Sequence, residues 1–149
     1  MSVNFEEISR EFDVSFGETI QMGGGSVKIT DARHLFYYGA RLDSMDALLD
    51  GCEKVTNVAG MFDNCISLTS LDLSRLDTSE VTAMDSVFYN CRNLAELNLR
   101  GWNTSKVTTM NSMFASCVHR SGHDISDWDV SNVAYMSELF GGCGVKRLR

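Results

Sequence analysis

Apolar residues recur along this chain in two alternating patterns. Over 81–91 they fall at Val81, Met84, Val87, Phe88 and Cys91. The spacing i, i+3, i+6, i+7, i+10 predicts one stripe of an amphipathic helix. Asp77, Thr78 and Ser79 stand ahead of it as candidate caps, and Thr82 with Asp85 offers a capping box that starts the helix three residues later. Beyond Cys91 the pattern changes to Leu94-x-x-Leu97-x-Leu99. Leu97 and Leu99 alternate with period two, which predicts a short strand. Trp102 then occupies the turn to the next stripe. The unit reads as a short helix followed by a short strand.

The whole unit recurs at an interval of 26 residues, as Cys65, Cys91, Cys117 and Cys143 show, with Phe62, Phe88, Phe114 and Phe140 beside them. The aligned stripes are Val55/Val58/Met61/Phe62/Cys65, Val81/Met84/Val87/Phe88/Cys91, Val107/Met110/Met113/Phe114/Cys117 and Val133/Met136/Leu139/Phe140/Cys143. Strand positions align as Leu68/Leu71/Leu73 with Leu94/Leu97/Leu99, and turn positions as Leu76, Trp102 and Trp128. A divergent first unit begins at Ile29 and carries Ala32, Leu35, Phe36, Gly39, Leu42, Met45 and Ala47 in the same register. A period between 20 and 50 residues marks stacked supersecondary units, none of which buries its stripe alone. The expected fold class is α/β: one short helix and one short parallel strand per unit, stacked over 29–149 as about five units, the last incomplete. Residues 1–28 match no unit. Phe5, Ile8 and Phe12 have helical spacing, and Gly23-Gly24-Gly25 makes a turn between alternating segments, so this stretch is expected to be an N-terminal cap of helix plus hairpin.

Charge narrows the partners. The chain of 149 residues carries a formal net charge of −7, which argues against direct binding to nucleic-acid backbones or anionic membranes and suits a basic partner. No run approaches a membrane span. The N-terminal residues carry early acids and no apolar h-region, so the chain as given reads as cytoplasmic, or as a mature fragment of a surface or secreted protein. The periodic cysteines fill one structural slot in successive units. If those units are helices they pack about 8–10 Å apart, beyond disulfide reach, so a ladder of reduced, buried thiols is expected. Cys52 lies outside the register.

No catalytic set, cofactor site or metal site emerges, and the chain is expected not to be an enzyme. Cys117, His119, His123 and Asp124 cluster in sequence and resemble soft-metal ligands, but Cys117 already belongs to the thiol ladder and no Cys-x-x-Cys pair accompanies it. The triple glycine lacks the strand–helix context and the lysine of a phosphate loop.

Two surfaces are free to bind. The first is the outward side of the strands, where Ser70, Asp72, Glu96, Asn98 and Arg100 alternate with the leucines and Asp46, Asp72, Asn98 and Asp124 form one column. The second is the C-terminal end, where Arg120 and His123 replace strand leucines in the fourth unit and Lys146 and Arg149 in the fifth, with Arg147 beside them. Polar terminal units shield a core end. The same residues also make a basic docking edge, and the incomplete last unit leaves an open edge that invites pairing with a second copy.

The string Asp-Thr-Ser-x-Val-Thr-x-Met-x-x-(Val/Met)-Phe-x-x-Cys-x-x-Leu-x-x-Leu-x-Leu stands at 77–99. It recurs, with Asn for Asp, at 103–117 and in part at 129–143. It resembles the BspA-like leucine-rich repeats of bacterial surface proteins and mycoplasma lipoproteins. The resemblance covers about 55–143. It implies a leucine-rich-repeat solenoid, an adhesion or protein-binding role, and no catalytic residues. The expected function is therefore a non-enzymatic protein-interaction module. The rival is an intracellular inhibitor: an immunity protein, or a phage- or mobile-element-encoded antagonist of a nucleic-acid-binding host protein. Acidity and free thiols favour that rival.

Overall fold

The computed structural model of the chain describes residues 21–23, 26–28, 31–37, 55–117 and 125–143. Its strands are β1 (Gln21–Gly23), β2 (Ser26–Lys28), β3 (Ser70–Asp72) and β4 (Glu96–Asn98). β1 and β2 pair antiparallel with Met22 opposite Val27. β3 and β4 pair parallel with Leu71 opposite Leu97. The expected cap helix around Phe5–Ile8–Phe12, the later half of the first unit with Asp46, and Cys52 lie outside the described residues. So do Arg120, His123, Asp124, Lys146, Arg147 and Arg149.

Equivalent positions of successive repeats lie against one another. Parallel bridges join Asp31 to Asn57, Asn57 to Ala83, Ala83 to Thr109 and Thr109 to Tyr135. The phenylalanine rings stack in the same order, with centroid separations of 5.1 Å for Phe36–Phe62, 5.7 Å for Phe62–Phe88, 5.5 Å for Phe88–Phe114 and 5.4 Å for Phe114–Phe140. Trp102 and Trp128 stack at 6.1 Å beside them. The core is the stripe residues of the repeats through Cys117, together with Leu68, Leu71, Leu73, Leu76, Leu94, Leu99 and Trp102. Each buried Phe, Leu or Met contributes about 1.5–3 kcal/mol of apolar burial.

The stripes do not lie on helices. Among the described residues there is no helix, and 59–64, 85–90, 111–116 and 137–142 run as successive turns. The backbone hydrogen bonds explain how this conformation is satisfied. Alternate N–H groups close turns within a repeat: Met61 donates to Val58 O at 3.0 Å, Asp63 to Gly60 O at 3.0 Å and Cys65 to Phe62 O at 3.2 Å. The N–H groups between them point to the next repeat: Val58 to Ala83 O at 3.2 Å, Gly60 to Asp85 O at 2.7 Å, Phe62 to Val87 O at 2.9 Å and Asn64 to Tyr89 O at 2.8 Å. The pattern recurs from Met84, Ser86, Phe88 and Asn90 to the carbonyls of Thr109, Asn111, Met113 and Ala115, and from Met110, Ser112, Phe114 and Ser116 to those of Tyr135, Ser137, Leu139 and Gly141.

Two columns of left-handed residues set this geometry. One is His34, Gly60, Ser86, Ser112 and Glu138; the other is Asn64, Asn90, Ser116 and Gly142. Two left-handed residues four apart cannot sit in a right-handed helix, and Gly and Asn tolerate that conformation best. An isolated helix of this length is marginal in water, whereas the turn conformation gains a hydrogen-bonded neighbour on each side. The expected capping box does not form either. Thr82 Oγ1 donates to Thr56 O, and Asp85 accepts from Asn111 N–H at 2.9 Å.

This conformation predicts the sign of a substitution. Ser112 has φ of 53°. The left-handed region costs an L residue about 1–2 kcal/mol, and glycine returns about 0.5–1 kcal/mol of that as lost backbone entropy. Ser112→Gly is therefore expected to be neutral or to stabilise by up to about 1 kcal/mol in urea unfolding. A helical residue at this position would instead lose stability.

The close stacking also changes the argument about the cysteines. Repeats joined by parallel bridges lie about 4.8 Å apart, so distance does not keep the thiols separate. Each is engaged instead with a phenylalanine carbonyl of the preceding repeat: Cys65 Sγ donates to Phe36 O at 3.0 Å, Cys91 to Phe62 O at 3.1 Å, Cys117 to Phe88 O at 2.7 Å and Cys143 to Phe114 O at 2.6 Å. All four are free thiols. The neighbouring Cys117 thiol, and then burial, push the Cys91 pKa far up, which keeps that sulfur protonated and unreactive.

Candidate binding surface

β3 and β4 position the first surface. Leu71 faces inward, so its neighbours Ser70 and Asp72 must face out, and both are exposed. One repeat later Glu96 is exposed, Asn98 half-buried, and Arg100 exposed just beyond the strand. The parallel register sets Ser70 beside Glu96 and Asp72 beside Asn98. Of the residues expected on this face, the structure brings these five together; Asp46 and Asp124 lie outside the described residues.

The five are not equally available. Asp72 Oδ1 accepts the Ser74 N–H at 2.9 Å, and its Oδ2 accepts from Asn98 Nδ2 at 3.1 Å. Hydrogen bonds from Ser74, and then from Asn98, hold the Asp72 carboxyl below the usual carboxylate range. Asn98 Oδ1 in turn accepts the Arg100 N–H at 3.2 Å. These are Asx turns that end each strand, so Asp72 and Asn98 shape the face as well as decorate it. The same device recurs later in each repeat, where Asp77, Asn103 and Asp129 accept the N–H groups of Ser79, Ser105 and Ser131.

Of the candidate metal cluster, only Cys117 is described, and its thiol is engaged with Phe88 O. No group of three or more His, Cys, Asp or Glu that could hold a metal ion occurs among the described residues. Among them, too, no helix is long and apolar enough to cross a membrane.

The last described repeat carries a feature that side-chain reading did not find. Met136 is 42% exposed, whereas Met84 and Met110 in the same slot are fully buried. Tyr135, next to it in the chain, and Val130, earlier in the same repeat, are exposed too, at 66% and 47%. Trp128, Val133, Leu139, Phe140 and Cys143 are partly buried against the core. The signal available in sequence was indirect: Val130 replaces the threonine of Thr78 and Thr104.

No curated protein and no solved structure matches the chain. The family model described as "Mycoplasma protein of unknown function, DUF285" matches residues 56–146, a span that takes in the stacked repeats after the first and more than half of the chain, and the chain belongs to that family.

Proposed function

We propose that the chain is a non-enzymatic protein-interaction module whose repeats form a leucine-rich-repeat solenoid of the BspA-like kind, binding a protein partner through the polar strand face. The carrying observation is the exposed set Ser70, Asp72 and Glu96 on two paired strands, with Arg100 just beyond, over a core of stacked rings. Binding surfaces need side chains on rigid supports, and paired strands supply that better than loops. A net charge of −7 suits a partner with a basic patch. The same acidity supports the second reading, an inhibitor of a nucleic-acid-binding protein, and the identity of the partner decides between the two.

The test is affinity capture from lysate with the intact chain, followed by Ser70→Arg combined with Glu96→Lys. Both positions are exposed, so the variant should keep its stability. Binding of the captured partner is expected to fall tenfold or more. Unchanged binding would remove the strand face from the proposal.

A further inference from the structure

The strand face is acidic at one side and basic at the other. Ser70 lies beside Glu96 and Asp72 beside Asn98; two residues further along, the same register carries Ser74 and Arg100. The middle of the face is engaged with itself. Both Asp72 oxygens accept, from Ser74 N–H and from Asn98 Nδ2, and Asn98 Oδ1 accepts the Arg100 N–H. The flanking charges are different. Glu96 and Arg100 are exposed, and neither side chain makes an ion pair among the described residues. Four residues of near-extended chain hold them about 10–13 Å apart. Opposite charges at that distance attract one another weakly through water, so each is left for a partner to neutralise.

We infer that the strand face is bipolar and binds a protein partner that sets a basic group against Glu96 and an acidic group against Arg100 at the same time. The inference rests on the reading of the chain as a protein-interaction module and names the charge pattern its partner carries. A basic patch is then one half of what the partner presents. Charge complementarity chooses the occupant. A wholly basic surface brings a cation over Arg100, and like charges set together across an interface cost binding. A nucleic-acid backbone brings phosphate over Glu96 and is disfavoured in the same way. A surface carrying both signs satisfies both residues. The backbone fixes where the two signs must lie: Glu96 stands on a paired strand, and the Asx turn closed by Asn98 sets the position of Arg100.

The probe is an array of short peptides on a serine–threonine background, each with two charged residues four apart: lysine with glutamate, two lysines, or two glutamates. The full chain is applied at about 0.15 M salt, where a Debye length of about 8 Å screens its overall negative charge but not direct contacts. The lysine–glutamate peptides are expected to retain at least fivefold more chain than either like-charged set. Arg100→Glu should transfer the preference to the two-lysine peptides, and Glu96→Lys to the two-glutamate peptides. Glu96→Lys combined with Arg100→Glu leaves the net charge unchanged and should restore the preference for lysine with glutamate. Both positions are exposed, so the urea midpoints of all three variants should match that of the unaltered chain. Two-lysine peptides held best by the unaltered chain, a preference that Arg100→Glu does not shift, or retention by none of the three sets would each overturn the inference. A partner captured from lysate that is lost with Ser70→Arg and Glu96→Lys but bound more tightly after Arg100→Glu would leave the proposed function standing and this inference refuted.

Discussion

Phe88→Ala is expected to lower the free energy of unfolding by about 3–5 kcal/mol. Phe88 is fully buried. Its ring stacks on Phe62 at 5.7 Å, on Phe114 at 5.5 Å and on Trp102 at 6.2 Å. Truncation removes the apolar surface of the ring and leaves a cavity in the middle of the column, which the hydrogen-bonded ladder on either side keeps from collapsing. Small domains have about 5–15 kcal/mol in total, so the urea midpoint should move far. In a stack where each repeat contacts its neighbours, a break at the centre uncouples two halves, and the transition should broaden as well as shift. Phe140→Ala is the control. Phe140 is only partly buried, in the last described repeat, and its loss is expected to cost under about 2 kcal/mol. Equal shifts for the two variants, or a midpoint that Phe88→Ala barely moves, would contradict a column of stacked repeats as the source of stability.

Much of this arrangement was legible in the chain, and the limit is physical. The interval between Phe62, Phe88, Phe114 and Phe140 identified residues that prove to be stacked neighbours. The alternation around Leu71 and Leu97 located β3 and β4 to within a residue and put Ser70, Asp72, Glu96 and Arg100 outside. The helix expectation departed from the structure because apolar spacing at i, i+3 and i+7 fits a chain of turns as well as a helix. The discriminating signal lay in other residues: Gly60 with Asn64, Asn90, and Gly142, all in left-handed conformation and all types suited to it. The candidate face was legible by exposure but not by engagement. That Asp72 is held by Ser74 and Asn98 depends on strand-end geometry. The direction of the hydrogen bonds between repeats, such as Phe88 N–H to Met113 O, was not legible at all, because it leaves no trace in side-chain pattern.

Thr78→Val is expected to cost about 2–3 kcal/mol, although it exchanges one methyl-sized group for another. Thr78 is buried. Its hydroxyl accepts from Asn103 N–H at 2.7 Å and donates to Asn103 O at 3.1 Å, so one oxygen satisfies a donor and an acceptor of the next repeat. Valine fills the space and leaves both backbone groups without their partner, which costs more than the hydrogen bonds themselves are worth. Thr104 repeats half of this bond, donating to Asp129 O at 3.0 Å. At the next position along the column the residue is Val130, and it is exposed. The hydroxyl is thus kept where a described repeat follows and is replaced by an exposed valine in the last described one. Thr78→Ser separates the two contributions. It keeps the oxygen and should lose less than about 1.5 kcal/mol, measured by urea unfolding beside Thr78→Val. If serine were as destabilising as valine, the methyl group and not the hydroxyl would be what couples the repeats at this position.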